Sequence, residues 1–224
     1  MNNARFEYQK RLHEVELYFD TLNLLDKGNC SIKCIDILGN EDTKEIDSEL
    51  STILKANGFL LLYNLIEATI RNSINAILNT IKSSAITYKD LSDKIKRLWL
   101  RQESKGINDD EKGQEKIMHI AKNILDNEIL TLERDCINIS GNIDAQKIRE
   151  ILKQFGGNEI SDGRDLKTIK EKRNKLAHGE FTFFEIGKDY TINEMIGYKD
   201  KTKDYLSNVL NEFQDYIDNQ KYLN

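Results

Sequence analysis

Hydrophobic and polar positions follow the period of an α-helix along most of the chain. Between residues 5 and 26, apolar side chains recur every three or four positions with charged residues between them. A second helix is expected to start at Asp47 or Ser48, either of which can cap it, and to continue to Ile81. Residues 58–70 are apolar on nearly every side, as in the buried central helix of a bundle.

Shorter helical segments follow this central one. Two are predicted near residues 89–102 and 114–134, with the polar loop 103–113 between them. A third begins at the unit Ser140 to Asp144 and ends at Gly156, and a fourth follows the polar linker 158–163 and ends near Gly179. The last begins at the capping box of Thr191 and Glu194. Two other stretches lack the helical period. We predict a connection over 27–45 with a short extended piece at 31–38, and an extended segment over 180–190, where three phenylalanines lie close together.

The composition excludes most alternatives to a helical protein. Pro is absent and Gly numbers only 12 of 224 residues, whereas turn-rich sandwiches and barrels need both repeatedly. We therefore predict an all-α bundle that forms one domain over residues 1–224, with an N-terminal helix at 5–26 and a core bundle from about 48 to 224. No run approaches the roughly 18–20 apolar residues of a membrane span, and the N-terminus lacks an apolar signal region. We expect a cytoplasmic protein without a membrane partner.

The net charge of −5 argues against a protein that coats nucleic acid non-specifically, because that mode needs a broad cationic surface. A local basic cluster is nevertheless present. It consists of Lys167, Lys170, Lys172, Arg173 and Lys175.

The cysteines and two of the three histidines give no sign of a metal site. Cys30 and Cys34 lack a second ligand pair at zinc-site spacing, and Cys136 is remote from them. We interpret all three as reduced thiols and expect no metal and no other cofactor. His13 and His119 lie in helical segments without a catalytic neighbour, which favours structural or surface roles.

His178 has neighbours that suit phosphodiester cleavage. Its imidazole can move protons near neutral pH, and Arg173 supplies a permanent cation for the charge of a phosphorane. Five residues on a straight helix rotate about 500°, which leaves these two side chains roughly 140° apart. Asn174 and His178, four residues apart, share a face. Arg173 can therefore join His178 at one phosphate only through a bent or terminal turn, or in a twofold dimer that faces two copies of the segment.

A purely structural interpretation competes with this hypothesis. Arg173 and Lys175 would then form a solvated face, and His178 would be a helix-terminal residue favoured by the macrodipole. Spacing alone favours this interpretation, because Arg and His five residues apart arise easily by chance. Glu67 and Arg71, four apart in the apolar second helix, form either an ion pair at its edge or a support for the Arg173/His178 site.

The segment Arg173-Asn174-Lys175-Leu176-Ala177-His178 resembles the signature of HEPN domains, in which four to six residues separate an arginine from a histidine. A polar residue directly after the arginine is common to both. Three blocks in order, residues 56–71, 140–156 and 173–190, resemble the MAE_28990/MAE_18760-like HEPN group. The resemblance covers the chain from about residue 48 to its end.

This resemblance implies a helical bundle that dimerises with its motifs facing each other, followed here by the short extended segment. Active members are metal-independent endoribonucleases of prokaryotic defence, stress-response and toxin–antitoxin systems. Carried over, Arg173 would hold the scissile phosphate, His178 would shuttle the proton, and Asn174 would orient the pair. Lys172 and Lys175 would contact RNA, and Glu67 and Arg71 would support the site.

The expected partners are an RNA substrate, a second copy of the chain, and an antitoxin or another defence-system protein. The expected products carry 2′,3′-cyclic phosphate and 5′-hydroxyl ends. The alternative hypothesis is a non-catalytic HEPN module that binds RNA, nucleotide or a protein partner, and the acidic net charge is compatible with it.

Overall fold

A computed structural model describes residues 1–137, 142–160 and 162–224. Within them, eight α-helices account for most of the chain and one antiparallel hairpin forms the only sheet. The elements in chain order are α1 Asn2–Leu25, β1 Cys30–Ile35, β2 Glu41–Ile46, α2 Ser48–Ser83, α3 Asp93–Glu103, α4 Glu111–Leu125, α5 Ala145–Phe155, α6 Arg164–Ala177, α7 Phe183–Gly187 and α8 Ile192–Asp218. The predicted all-α fold is confirmed.

Contacts divide the chain into two compact units. The first unit comprises Met1–Glu7, Glu67–Asp162 and Leu206–Asn224, and the second unit comprises Tyr8–Ile66 and Gly163–Tyr205. Helices α1, α2 and α8 each contribute residues to both units. The sequence-based assignment of residues 1–224 to one domain stays a prediction.

The core of the second unit is built around the first half of α2. Phe59, Leu62 and Tyr63 on this helix are buried. A Cβ atom at Gly58 would lie 2.8 Å from the Cε atom of Met195 and 3.2 Å from the Cζ atom of Phe19. Helices α8 and α1 therefore pack against α2 at a position where a side chain would have to displace that of Met195.

Helix α2 is long and apolar enough to cross a membrane by length and composition, and half of its most apolar window is buried. Ile66, Ile70 and Ile74 have no exposed surface. A core helix of a soluble protein has these same properties, and the burial agrees with the central position predicted for this segment.

Capping residues explain several helix starts that the sequence predicted. Asp47 accepts a hydrogen bond from the N–H of Leu50 at 2.8 Å, and Asp144 accepts one from the N–H of Lys147 at 2.9 Å. The Thr191 to Glu194 capping box is present at the start of α8. Residues 140 and 141 of the predicted starting unit of α5 lie outside the described residues.

The predicted extended segment after His178 is wrong. Residues 183–187 form helix α7 instead. Thr182 and Glu185 form a capping box, in which the Glu185 carboxylate accepts from the N–H of Thr182 at 2.7 Å and Thr182 Oγ1 accepts from the N–H of Glu185 at 3.2 Å. This reciprocal pairing satisfies backbone donors that an extended chain would leave to a neighbouring strand.

Two other boundaries also differ from prediction. The helix expected to reach residue 134 ends at Leu125, and Asn127 then adopts a left-handed conformation (φ 54°) that ends the helix. The extended piece expected at 31–38 is the strand β1 of a hairpin with β2, in which Cys30 pairs with Ile46. The second strand was not predicted.

Candidate active site

Helix α6 carries the arginine–histidine motif at its C-terminal end. Leu166, Ile169 and Leu176 are buried and recur at intervals of three and seven residues, so they lie on one side of the helix. They hold α6 against the core of the second unit. Arg173 and Asn174 are half-buried, and His178 is exposed.

A glycine turn closes α6 directly after His178. The N–H of Gly179 donates to the Leu176 carbonyl at 3.2 Å and the N–H of Glu180 donates to the Lys175 carbonyl at 2.9 Å, which is the Schellman pattern. Gly179 has φ +69° with no atom within 4 Å of a Cβ built on it, so the backbone conformation rather than lack of space favours glycine here. The turn fixes the backbone of His178 at the helix cap.

The guanidinium of Arg173 stacks on the ring of Tyr63. Its central carbon lies 3.5 Å from the ring centroid, and Nη1 donates to Asn174 Oδ1 at 2.8 Å. Tyr63, on α2 in the same unit, has 0% exposed surface. The planar guanidinium is thus held between a rigid aromatic face and a neighbouring amide, an arrangement that an ammonium group cannot reproduce.

Two lysines of the same segment also lie over aromatic rings. The Lys172 ammonium lies 5.3 Å from the Tyr190 ring centroid, and the Lys175 ammonium lies 4.6 Å from that of Phe181. Phe181 is 42% exposed. The segment therefore presents several cations beside aromatic surface that solvent reaches.

His178 continues the helical geometry of α6. Its φ and ψ are −91° and −1°, and its N–H donates to the Asn174 carbonyl at 2.9 Å. Because α6 is helical up to this cap, the ideal helical rotation of roughly 140° between Arg173 and His178 applies. The imidazole makes no hydrogen bond or ion pair within the described residues. The structure thus joins Arg173 with Asn174 and leaves His178 accessible at the helix end.

Glu67 and Arg71 form an ion pair across one turn of α2 in the first unit, with 23% and 34% of their side chains exposed. This agrees with the local interpretation of the two residues. Their suggested support of the motif stays a prediction.

Sequence reasoning missed Tyr63. It lies within the block 56–71 but was assigned no role, because an aromatic residue in an apolar helix usually belongs to the core. The available signal was its chemistry: the segment 58–66 is otherwise largely aliphatic, and it contains one tyrosine.

Among residues 1–137, 142–160 and 162–224, no group of three or more His, Cys, Asp or Glu side chains is arranged to hold a metal ion. Cys30, Cys34 and Cys136 are free cysteines, of which Cys136 is buried and Cys34 is exposed.

Comparison with protein families gives a match over nearly the whole chain. A family model described as MAE_28990-like HEPN matches residues 7–222. The match includes α1 from residue 7 onward, which the three sequence blocks did not cover. Comparisons with curated proteins and with solved structures found no match.

Proposed function

The chain belongs to the MAE_28990-like HEPN family, and we propose that it is a metal-independent endoribonuclease that acts as a homodimer. Its biological role in this proposal is that of an effector in a prokaryotic defence or toxin–antitoxin system, held in check by a protein partner. Its substrate is RNA, which it cleaves to 2′,3′-cyclic phosphate and 5′-hydroxyl ends.

In the proposed reaction, the ribose 2′-oxygen attacks the adjacent phosphorus and the bond from phosphorus to the 5′-oxygen breaks. The imidazole of one His178 takes the 2′-proton, and a protonated imidazole or water gives a proton to the leaving 5′-oxygen. Arg173 binds the phosphate and stabilises the charge that builds on its oxygens. Asn174 orients the guanidinium through their hydrogen bond.

The observation that carries the proposal is the support given to Arg173. A surface arginine with a solvated role needs no fixed platform, whereas this guanidinium stacks on a fully buried ring and bonds to the next side chain. Preorganised cations stabilise a transition state better than mobile ones, because they need not reorient during reaction. The exposed imidazole at the end of the same helix supplies the group that moves protons.

The surroundings of the motif also suit single-stranded RNA. Phe181 and Phe184 are 42% and 44% exposed shortly after the motif. Exposed aromatic rings beside cations are the usual platform for unstacked bases and their phosphates. Lys172 and Lys175 are the proposed phosphate contacts, and Glu67 and Arg71 are proposed to support the site.

The homodimer is part of the proposal because one straight helix does not aim Arg173 and His178 at one phosphate. A twofold axis would bring two copies of each side chain around one groove. Light scattering at assay concentrations should give twice the 26.0 kDa mass of one chain. A fully active monomer would remove the dimer from the proposal.

Cleavage assays on purified variants test the proposal. We expect Arg173→Ala and His178→Ala each to lower the cleavage rate about 100-fold or more without loss of folding, since a positioned acid–base group contributes about 10²–10⁴-fold. His13→Ala is the matched control, because it removes another exposed helical histidine. DNA of the same sequence should resist cleavage, since it lacks the 2′-hydroxyl, and a chelator should not affect the rate. Equal inactivity of wild type and variants on tRNA and mRNA would contradict a catalytic role and favour the binding module.

A further inference from the structure

A second basic surface lies between α3 and α5 of the first unit. These helices line an open groove of about 470 Å³. Its charged side chains are Lys94, Arg97, Arg101, Lys147, Lys153 and Glu150. Five cations and one carboxylate give this small surface a net charge of +4, although the whole chain carries −5.

Three of these five cations form no ion pair or hydrogen bond within the described residues. Lys147 pairs with Glu150 at 3.6 Å, and Arg101 donates to Gln154 Oε1 at 3.1 Å across the groove. In contrast, the side chains of Lys94, Arg97 and Lys153 are exposed and form no ion pair or hydrogen bond within the described residues. Like charges gathered without partners repel one another, so such a cluster costs stability unless an anion binds there.

Interaction with the helix dipole explains the positions of only some of these cations. Arg101 and Lys153 lie in the last turns of α3 and α5, where cations interact favourably with the helix dipole. Arg97 lies in the middle of α3, where the dipole gives no such benefit. Lys94 lies in the first turn, where the dipole opposes a cation.

The lining of the groove favours a phosphate backbone over a polypeptide. Partner proteins usually dock through a desolvated apolar centre with aromatic anchors. In this groove the apolar residue is Leu98, which is only 1% exposed, and Trp99 beside it is also buried. Cations alone suffice for a phosphodiester chain, because its binding is driven by release of counterions.

We propose that the groove between α3 and α5 binds the phosphodiester backbone of single-stranded RNA, as a docking site additional to the motif on α6. The identity of the ligand rests on the proposed ribonuclease function. The cations run along both walls: Lys94 and Arg101, with Arg97 between them, are seven positions apart on α3, or about 10 Å of helix. The groove thereby offers contacts to successive phosphates without reading base sequence.

Binding of an uncleavable RNA separates this proposal from catalysis. The probe is a fluorescent single-stranded RNA with methylated 2′-hydroxyls, and its anisotropy is measured from low to high salt with the dimer or monomer as purified. The test variant is Lys94→Gln/Lys153→Gln. The control is Lys112→Gln/Lys122→Gln, which removes two exposed lysines from α4 of the same unit.

The expected result follows from counterion release. Each lost phosphate contact should reduce the slope of log K against log salt by about 0.7, so the test variant should lose about 1.4 in slope. Its affinity at 0.1 M salt should fall about 25-fold, because that difference acts over the decade between 1 M and 0.1 M. The control should bind like wild type, and all three proteins should melt at similar temperatures.

Two outcomes would overturn the proposal. One is equal affinity and slope for the test and control variants. The other is displacement of the RNA by polyglutamate at equal charge concentration, which would assign the groove to an acidic polypeptide. Neither outcome depends on cleavage. A chain that binds the probe through this groove but never cleaves RNA would refute the proposed activity alone.

Discussion

Replacing Tyr63 with leucine tests whether the buried ring positions Arg173. The substitution removes the aromatic face beneath the guanidinium and keeps an apolar side chain in the core. Tyr63→Phe is the matched control, because it retains the ring. Both positions of the contact lie in the second unit, so the test concerns one packed region.

The distance and burial of the contact between Arg173 and Tyr63 determine how much the cleavage rate should fall. The guanidinium carbon lies 3.5 Å from the ring centroid of a fully buried tyrosine, while Arg173 itself is half-buried. Cation–π contacts contribute about 0.5–1 kcal/mol when exposed and about 2 kcal/mol when desolvated, so about 1–2 kcal/mol applies here. At about 1.4 kcal/mol for each factor of ten, the cleavage rate should fall about 5- to 30-fold. The smaller side chain should also cost about 1–3 kcal/mol of folding stability.

Single-turnover cleavage of a fluorophore–quencher RNA measures this loss, and thermal melting checks that the variants are folded. Tyr63→Leu should matter less in an Arg173→Lys background, because an ammonium has no planar face to stack. Equal rates for folded Tyr63→Leu and Tyr63→Phe would refute the positioning role. So would a loss in the Arg173→Lys background as large as in the wild type.

Two further predictions concern packing and thiol chemistry. A Cβ atom at Gly187 would lie 1.9 Å from the Thr52 carbonyl oxygen, so Gly187→Ala should lower the free energy of unfolding by about 3 kcal/mol. Gly197 on α8 has open space around it, so Gly197→Ala should raise the free energy of unfolding by up to about 1 kcal/mol. Urea midpoints that placed Gly187→Ala above Gly197→Ala would contradict this packing. Burial raises the pKa of the Cys136 thiol to about 11, so this thiol should react with a disulfide reagent only after unfolding. The exposed Cys34 should react at once. Immediate reaction of every cysteine in the native protein would argue against the buried position of Cys136.

Helix starts were predictable because their signals are local. Asp144 and the Thr191 to Glu194 pair each carry a cap within one turn of the helix they begin. The same pattern occurs at Thr182 and Glu185, but the nearby phenylalanines favoured an extended chain. Aromatic preference for strands reflects packing on a pleated surface, and the one sheet of the described residues, β1–β2, does not include this segment. The cap therefore decided the local structure.

The end of α4 was less predictable, because it depends on contacts distant in sequence. The apolar period continues past Leu125, which favoured a longer helix. Leu130 is instead buried in an extended stretch, where its N–H donates to the Ile86 carbonyl at 2.9 Å and Thr87 pairs with Ile129. The apolar period indicates that Leu130 is buried, but it does not show whether this residue lies in a helix or in an extended stretch.

The residues of the candidate site also differ in how predictable they were, according to whether they are close in sequence. Arg173, Asn174 and His178 were predicted because they lie within six consecutive residues that resemble a known motif. Tyr63 was not, because it is on a different helix and meets Arg173 only through the tertiary fold. The composition suggested an acidic protein, yet it gave no account of where the charges gather. The α3–α5 groove required the structure.

The spacing within the motif bears on why a second copy of the chain belongs in the proposal. Four, five or six residues between arginine and histidine correspond to rotations of about 140°, 240° and 340° on an ideal helix. These rotations differ so widely that the three spacings cannot place the arginine and the histidine in one common arrangement on a single helix. In this chain the ring of Tyr63 fixes Arg173, and the turn at Gly179 fixes the backbone of His178. Because α6 itself does not converge the two groups, a facing α6 from another subunit is the simplest source of the missing partner at each phosphate.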